Sequence, residues 1–289
     1  MSSKGTALVT GASSGIGEAT ALRLAEAGFT VYAVARRVDR MSGLADAGIH
    51  VLKMDVTDDK SMVGGIEQIV ADTGRIDVLV NNAGYGSYGA VEDVPMAEAK
   101  YQFDVNVFGL ARLTQLVLPH MRARRSGRII NISSIGGRIY EPFGGWYHAT
   151  KFAVEGLSDS LRLEVAPYGI KVVVIEPAGI RTEWSGIAAD NLRKTSGDSA
   201  YADHAAKAAA VLDMAERPAF TSPSEVVANK ILKAATRRHP LTRYPTGRGA
   251  GAILFTRWLL PARMFDGVIK AAFAAAGKMT KSAPRPTGR

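Results

Sequence analysis

The sequence predicts an α/β protein built on a single doubly wound parallel sheet with helices on both faces. Six strand–helix alternations follow one another along the chain, which is typical of parallel sheets with right-handed crossovers. The strands are apolar on both faces, so helices are expected on both sides of the sheet. A glycine-rich turn, Thr10–Gly17, follows the first strand, and ligands of such folds bind at the carboxyl ends of the strands.

The individual elements follow from local pattern. Strands are predicted from short apolar, β-branched or aromatic runs. They cover Thr6–Val9, Thr30–Ala35, Val51–Met54, Val78–Val80, Arg128–Ile132 and Lys171–Ile175. Helices are predicted where apolar residues recur with helical spacing. They cover Glu18–Ala27, Lys60–Thr73, Ala97–Arg124 and Tyr147–Val165.

Composition excludes several classes of protein. The 289 residues are 47% hydrophobic and 22% charged, which is globular and sufficient for a full core. Cysteine is absent, which excludes a disulfide framework, a cysteine nucleophile and a thiolate-bound metal. Neither a secretory signal nor a transmembrane run is apparent, so a cytoplasmic location is expected.

The net charge of +9 is concentrated at one end of the chain. Residues 237–289, here called the basic tail, hold eleven Lys or Arg and one acid, which leaves −1 on residues 1–236. The body is therefore electrically ordinary, and no nucleic-acid partner is expected.

The first strand–helix turn has the residues of a phosphate-binding loop. Gly11, Gly15 and Gly17 allow a tight turn and a close approach of the backbone to a pyrophosphate, and the helix that follows offers free N–H donors. The alternative is a purely structural turn. No Gly-Lys-Ser/Thr follows, so a nucleoside-triphosphate loop is not expected.

The second strand ends in Ala35, Arg36 and Arg37. An acidic residue at this point of a dinucleotide fold binds the ribose 2′-hydroxyl, whereas an arginine accepts a 2′-phosphate. The arginines favour NADP(H) over NAD(H). The alternative is two solvated arginines at the start of a helix.

Four polar residues form the candidate catalytic set. Tyr147 and Lys151 are four apart on a predicted helix and share a face, and a nearby ammonium lowers the pKa of a phenol. Ser134 follows the fifth strand, where a hydroxyl can bond a substrate carbonyl. Asn106 interrupts an apolar helical series, and it is either a structural contact or the holder of a water. Seen alone, a Tyr-x-x-x-Lys spacing is common on surface helices.

Together these motifs resemble the short-chain dehydrogenase/reductase family over about residues 4–185. The residues that carry the resemblance are Thr10–Gly17, Asn81–Gly84, Asn106, Ser134, Tyr147, Lys151 and Pro177–Thr182. The resemblance implies a Rossmann-fold oxidoreductase domain, placed at residues 1–248, that uses a nicotinamide cofactor and no metal.

The resemblance also implies roles. Tyr147 is the general acid/base. Lys151 lowers the pKa of Tyr147 and holds the nicotinamide ribose. Ser134 rather than Ser133 polarises the carbonyl, and Asn106 positions a water in a relay to Lys151. The implied cofactor-binding residues are Gly11, Ser13, Ser14, Gly15, Ile16, Gly17, Arg36, Arg37, Asp55, Val56, Asn82, Ala83, Gly84, Tyr147, Lys151, Pro177, Gly179, Ile180 and Thr182. The family's usual Pro-Gly is Pro177-Ala178-Gly179 here, so the glycine is displaced by one position.

Substrate choice in this family depends on the loop after the fifth strand and on a lid, here about residues 183–222. The aromatic residues there and near Tyr85 favour a bulky apolar alcohol or ketone, although each could simply pack a lid on the core. They are Tyr85, Tyr88, Tyr140, Phe143, Trp146 and Trp184. The closest similarity is to the steroid- and retinol-dehydrogenase-like branch.

Residues 249–289 are expected to form a basic amphipathic extension with a disordered end from Lys278. Its apolar side, with Phe265 and Ile269 among others, either packs on the core or a partner subunit, or contacts an anionic membrane surface. The family implies a homodimer or homotetramer. The remaining alternative for the whole chain is a non-catalytic dinucleotide-binding regulatory or scaffold protein, since fold alone does not give function.

Overall fold

The computed structural model, which describes residues 3–214 and 221–282, contains one sheet of parallel strands. The strands are β1 (Thr6–Thr10), β2 (Thr30–Ala35), β3 (His50–Lys53), β4 (Val78–Asn81), β5 (Gly127–Ile132), β6 (Ile170–Pro177) and β7 (Arg243–Thr246). Their order across the sheet is β3-β2-β1-β4-β5-β6-β7, and every pair is parallel. The doubly wound Rossmann-type sheet is confirmed.

Helices cover both faces of the sheet. They are α1 (Gly15–Glu26), α2 (Ser42–Asp46), α3 (Asp59–Thr73), α4 (Met96–Phe103), α5 (Gly109–Ala123), α6 (Gly145–Val165), α7 (Trp184–Ser196), α8 (Ala202–Met214), α9 (Ser224–Thr236), α10 (Ala250–Leu259) and α11 (Ala262–Ser282). Alternate residues of β1 enter different cores. Val9 packs with α1 and α9 on one face, whereas Leu8 packs with α3 and α5 on the other. The two-sided apolar strands therefore have the burial that their sequence predicts.

The long helix predicted at Ala97–Arg124 is interrupted. A π-turn at Asp104–Phe108 separates α4 from α5. Helix α5 restarts at Gly109, where a Cβ would stand 2.4 Å from the carbonyl oxygen of Val56. The extra residue in the turn re-aims the side chains that follow it, and Asn106 lies inside this turn.

The basic tail contributes a strand that the sequence analysis missed. β7 pairs with β6 at the sheet edge, and Arg243 from β7 contacts three carboxylates. Its Nε lies 3.0 Å from Glu155 and 3.5 Å from Glu176, and its Nη2 lies 2.6 Å from Asp159. Part of the tail's charge thus stabilises the sheet, and this segment of the tail is not peripheral.

The last two helices divide the amphipathic pattern of the tail between core and surface. Phe265 and Ile269 are buried against Ile139 and Leu254, and Tyr140 Oη donates a hydrogen bond to Asp266 at 2.8 Å. Met264 and Val268, which the helical spacing places beside Phe265 and Ile269 on the apolar side, are exposed. Helix α11 reaches Ser282 and so includes part of the stretch expected to be disordered, while residues 283–289 lie outside the described residues.

The expected lid segment contains two helices, α7 and α8, that pack on each other. Residues 215–220 of that segment lie outside the described residues. The division of the chain at residue 248 remains a prediction. Within the described ranges, no helix is both long and apolar enough to span a membrane.

We expect Arg243→Met to destabilise the protein strongly, because Glu176 is fully buried and Glu155 nearly so. Removing one partner of a buried ion pair leaves an uncompensated charge and costs on the order of 3 kcal/mol. Urea denaturation measures the free energy of unfolding. The control is Arg162→Met, since Arg162 pairs with Asp159 one turn away on α6 and such helix-surface pairs contribute less than about 1 kcal/mol. Equal losses in the two variants would contradict the assignment.

Candidate active site

A cavity of about 670 Å³ opens at the carboxyl ends of the central strands. The strand order reverses between β1 and β4, which is the switch point where ligands of doubly wound sheets bind. Every predicted cofactor-binding residue except Gly17 lines this cavity, and so do three of the four predicted catalytic residues, Ser134, Tyr147 and Lys151. Asn106 lies behind the wall, fully buried.

The glycine loop adopts backbone angles that favour glycine. Gly11 and Gly15 have φ of 64° and 60°, in the left-handed region. Gly17 has a different role from the predicted one, because a Cβ there would lie 2.3 Å from the Gly11 carbonyl oxygen and 2.6 Å from Asn82 Nδ2. Gly17 lets α1 approach the loop and does not itself face the cavity.

Two polar side chains lock this loop to β4. Thr10 Oγ1 accepts hydrogen bonds from the backbone N–H groups of Asn82 (3.0 Å) and Ala83 (2.9 Å). Asn82 Nδ2 donates to the carbonyl oxygens of Thr10 (2.9 Å) and Gly11 (3.2 Å). Asn82 therefore holds the loop as well as lining the cavity. The role of Thr10 was not predicted, although its place at the end of β1 was the available signal.

The start of α1 is suited to an anion. No side chain caps its first turn, and Ser14 precedes it in extended conformation. The first N–H groups of a helix lack intrahelical partners and carry the positive end of the helix dipole. With the tight glycine loop beside them, these donors fit the pyrophosphate of a dinucleotide.

The far end of the cavity carries the two predicted arginines. Arg36 and Arg37 are exposed and line the wall, and Arg36 Nη1 donates to the Tyr101 hydroxyl at 2.6 Å. Asp55, expected beside the adenine, accepts from the backbone N–H and the hydroxyl of Thr57. The carboxylate of Glu183 is paired with Arg40.

Burial is the main influence on the pKa of the Tyr147 phenol. Burial raises the pKa of Tyr147 to about 12; the Ser134 hydroxyl opposes this rise, and the charge of Glu141 adds to it. The expected lowering of this pKa by Lys151 is not found, since the Lys151 Nζ lies 5.8 Å from the centre of the Tyr147 ring and donates instead to the Ile132 carbonyl oxygen at 2.9 Å. At neutral pH the phenol is therefore protonated and can donate a proton.

The pKa of the Lys151 ammonium is also shifted. Burial lowers its pKa to about 8, and the carboxylate of Glu155, one turn further along α6, opposes that change. Gly84 leaves the space between Lys151 and Asn106 open, because a Cβ there would lie 3.1 Å from Asn106 Oδ1 and 3.7 Å from Lys151 Nζ.

Asn106 uses its amide group on protein partners. Nδ2 donates to the Tyr85 carbonyl oxygen (2.9 Å) and to Thr150 Oγ1 (3.0 Å), and Oδ1 accepts from the Tyr85 N–H (3.0 Å). These contacts favour the structural alternative for Asn106. They do not test the implied water relay, which remains a prediction.

The aromatic residues predicted near the substrate divide into two groups. Tyr85, Tyr88 and Trp184 line the cavity. The others lie elsewhere: Tyr140 packs on Phe265, Phe143 packs edge-on against Tyr201, and Trp146 lines a separate small pocket. For these three, packing is the correct interpretation.

Several further cavity residues were not singled out from the sequence, although most of them lie in the loop after β5 or in the expected lid. Glu141 and His148 lie near Tyr147, and Ile187, Val211 and Leu212 come from α7 and α8. The ring of His148 reaches the cavity wall and bonds the backbone of Gly136 and Glu141. The displaced glycine after β6 also has an explanation, because the Ala178 N–H donates to Thr246 of β7 and Ser222 N–H donates to the Gly179 carbonyl oxygen.

A doubly wound sheet with a glycine loop at its switch point, opening onto a buried Tyr–Lys pair, defines the class of nicotinamide-dinucleotide oxidoreductases. The sequence model described as short chain dehydrogenase matches residues 5–192. The chain belongs to the short-chain dehydrogenase/reductase family.

Three known proteins illustrate the relationship. The chain is 39% identical over 241 residues to a 3-ketodihydrosphingosine reductase of Bacteroides thetaiotaomicron, covering 83% of this chain and 87% of that protein. It is 34% identical over 275 residues to an NADPH-dependent 3-dehydrocapnine reductase of Ornithobacterium rhinotracheale, covering 91% and 95%. A solved short-chain dehydrogenase from Streptomyces avermitilis matches with a TM-score of 0.78 and 33% identity, covering 97% and 99%.

We expect Gly17→Ala to disrupt the loop, because its Cβ would meet the backbone oxygen of Gly11. Overpacking of this kind costs roughly 1–3 kcal/mol, and dinucleotide binding should weaken with the loop. Thermal unfolding and calorimetric titration with NADPH measure both effects. The control is Gly64→Ala in α3, where a Cβ meets nothing within 4 Å, so stability should hold or rise by up to about 1 kcal/mol. Wild-type NADPH affinity in Gly17→Ala would refute this role.

Proposed function

We propose that the protein is an NADP(H)-dependent reductase that converts a carbonyl to an alcohol on a bulky apolar substrate. The observation that carries the proposal is the buried phenol of Tyr147, with the Ser134 hydroxyl nearby and the Lys151 ammonium one helical turn away, on the wall of a dinucleotide-sized cavity. A non-catalytic dinucleotide-binding protein has no need of such a set.

The side chains support reduction in particular. A phenol with a pKa of about 12 is protonated at neutral pH, so Tyr147 can give a proton to a carbonyl oxygen. Ser134 Oγ accepts from the Gly136 N–H at 3.0 Å and donates to the Pro177 carbonyl oxygen at 3.3 Å, a bond that it would exchange for one to a substrate oxygen. When bound, the nicotinamide cofactor supplies the hydride.

The substrate class is proposed from the walls beside Tyr147. Tyr88, Trp184, Ile187 and Leu212 form an apolar surface, which suits a hydrocarbon body better than a sugar. Both named relatives are reductases, and their names denote reduction at a 3-keto or 3-dehydro position. The steroid- and retinol-dehydrogenase-like branch remains a prediction.

Tyr147→Phe removes the proton donor while keeping the ring and its packing. We expect the rate of NADPH consumption with a panel of apolar ketones to fall by about 10²–10⁴-fold, with NADPH still bound. The control is Tyr85→Phe, because Tyr85 lines the same cavity but its hydroxyl donates to Glu98. A near-native rate in Tyr147→Phe would assign the chemistry to another group, and no turnover of any ketone by the wild type would favour the non-catalytic alternative.

A preference for NADP(H) is proposed from Arg36 and Arg37. In the double variant Arg36→Asp, Arg37→Ala, we expect the ratio of NADH to NADPH dissociation constants to fall by about tenfold to a hundredfold, since a charge-assisted phosphate contact is lost and both side chains are exposed. Calorimetry measures the four constants. Arg40→Ala is the control, because Arg40 is paired with Glu183. Equal affinity of the wild type for both cofactors would contradict the proposal.

We propose that the chain forms a homo-oligomer through α5 and α6. Phe108, Phe152, Leu157 and Leu163 are large apolar side chains exposed on or beside these helices. Burying such side chains against a second copy is favourable by the area they remove from water.

We also propose that the surface of α10 and α11 contacts anionic membranes peripherally. Phe255, Trp258, Leu259 and Met264 are each more than half exposed there, with the exposed Arg263 and Lys270 nearby. Apolar side chains beside basic ones are typical of interfacial helices, and each basic group adds up to about 1 kcal/mol at an anionic surface. A cytoplasmic location with peripheral attachment is consistent with this surface.

The double variant Phe255→Ser, Trp258→Ser tests the membrane proposal without removing the buried Phe265 and Ile269. We expect the wild type to co-sediment with anionic vesicles at low salt and to dissociate at high salt, because the Debye length falls from about 10 Å at 0.1 M to about 3 Å at 1 M. The double variant should stay in the supernatant. Leu241→Ser, which changes a leucine that is 58% exposed and lies outside both proposed contact surfaces, is the control. Salt-insensitive sedimentation, or none, would contradict the proposal.

A further inference from the structure

One acidic side chain stands on the cavity wall beside the candidate proton donor. Of the three carboxylates that line the cavity, Asp55 lies at the adenine end and Glu183 is paired with Arg40. The third, Glu141, comes from the loop before α6 and contacts Tyr88, whose ring centre lies 5.9 Å from that of Tyr147. The surrounding wall is aromatic and aliphatic, so Glu141 is the unusual group there.

The bonding of Glu141 leaves its charge uncompensated. Its Oε1 accepts a hydrogen bond from the Tyr88 hydroxyl at 2.7 Å. Within the described ranges, the only basic side chain within 4.0 Å of its carboxylate is His148, at 4.0 Å. The side chain of Glu141 is 30% exposed, so the carboxylate remains accessible from the cavity.

Both ring nitrogens of His148 bond the backbone. Its Nε2 accepts a hydrogen bond from the Glu141 backbone N–H at 3.1 Å, and its Nδ1 lies 2.8 Å from the Gly136 carbonyl oxygen. Since Nε2 accepts, the proton is on Nδ1, which donates to Gly136. His148 therefore fixes the loop through two backbone bonds, and its Nε2 bonds the Glu141 N–H at 3.1 Å while the Glu141 carboxylate lies 4.0 Å away.

The Glu141 carboxylate also affects the ionisation of the two neighbouring phenols. Burial is the main cause of the raised pKa of both Tyr88 and Tyr147, and the charge of Glu141 adds to each. The aromatic wall lowers the local dielectric. The attraction between the Glu141 carboxylate and a cation that enters the cavity is therefore stronger than it would be in water.

We propose that Glu141 binds an ammonium group that the substrate carries close to its reacting carbonyl, so that the substrate class is an amino ketone with an apolar body. This inference rests on the proposed reductase function and names the substrate of the same cavity. The carbonyl lies at Tyr147 and Ser134, the ammonium at Glu141, and the hydrocarbon against Trp184, Ile187 and Leu212.

The alternative is that Glu141 only accepts the Tyr88 hydrogen bond and shapes the loop. Glu141→Gln separates the two roles, because the amide oxygen still accepts from Tyr88 while the charge is removed. Glu98→Gln is a matched control. Glu98 accepts from the Tyr85 hydroxyl at 3.0 Å, so the chemical change is the same, but Glu98 is not on the cavity wall.

The experiment measures NADPH consumption by the full chain with a long-chain α-amino ketone, its N-acetyl derivative and the same ketone without the amino group. The wild type should favour the amine by roughly tenfold to a hundredfold in kcat/KM, as expected for a charge-assisted hydrogen bond. In Glu141→Gln this ratio should approach one, mainly through a higher KM for the amine. In Glu98→Gln the ratio should stay at the wild-type value.

Two results would overturn the proposal while leaving the reductase function intact: a wild type that reduces the plain or acetylated ketone as well as the amine, or a Glu141→Gln variant that keeps the preference. If no ketone is reduced, the proposed function is what fails. Calorimetric binding of the amino ketone in the presence of NADP⁺ then still decides the role of Glu141. Weaker binding to Glu141→Gln than to wild type supports that role, and equal binding refutes it.

Discussion

The site depends on keeping the Lys151 ammonium buried at the carboxyl edge of the sheet. A buried cation is costly unless polar groups surround it, and here the Ile132 carbonyl oxygen accepts its hydrogen bond at 2.9 Å. Glu155, one turn along α6, supplies the opposing charge. Glu155 is itself held by Arg243 from β7. The chain of contacts thus runs from the last strand of the sheet to the cavity wall.

The same constraint explains the irregular features around the site. The π-turn places the Asn106 amide where it can bond Tyr85 and Thr150 behind Gly84, and Gly84 has no side chain to separate that amide from Lys151. Burial raises the pKa of Glu155 and Glu176, so Arg243 and Arg138 are needed beside them. The regular strands and helices bring the site residues together. The π-turn, Gly84 and the buried arginine–carboxylate contacts then orient them.

Most of the fold was predictable because its signals are local. Apolar runs, helical spacing and the glycine turn placed six strands, four main helices and all but two of the proposed site residues on the cavity wall. β7 was missed because Arg243–Thr246 has no apolar run, and its pairing with β6 defines it. Glu141 and His148 were missed because a cavity wall is a tertiary feature. The amphipathic pattern of α11 likewise cannot tell which apolar residue packs on Ile139 and which stays exposed.

The central claim, that a buried ammonium with a pKa of about 8 serves the site, is tested by the pH dependence of kcat/KM for NADPH-driven ketone reduction. This ratio reports the ionisations of the free enzyme. We predict that it is constant at neutral pH and falls as the pH rises through about 8, because Lys151 loses its charge. In Glu155→Gln the fall should move to lower pH, since the Glu155 carboxylate raises the pKa of Lys151. A profile that stays flat through this range, or one that Glu155→Gln leaves unmoved, would contradict the account.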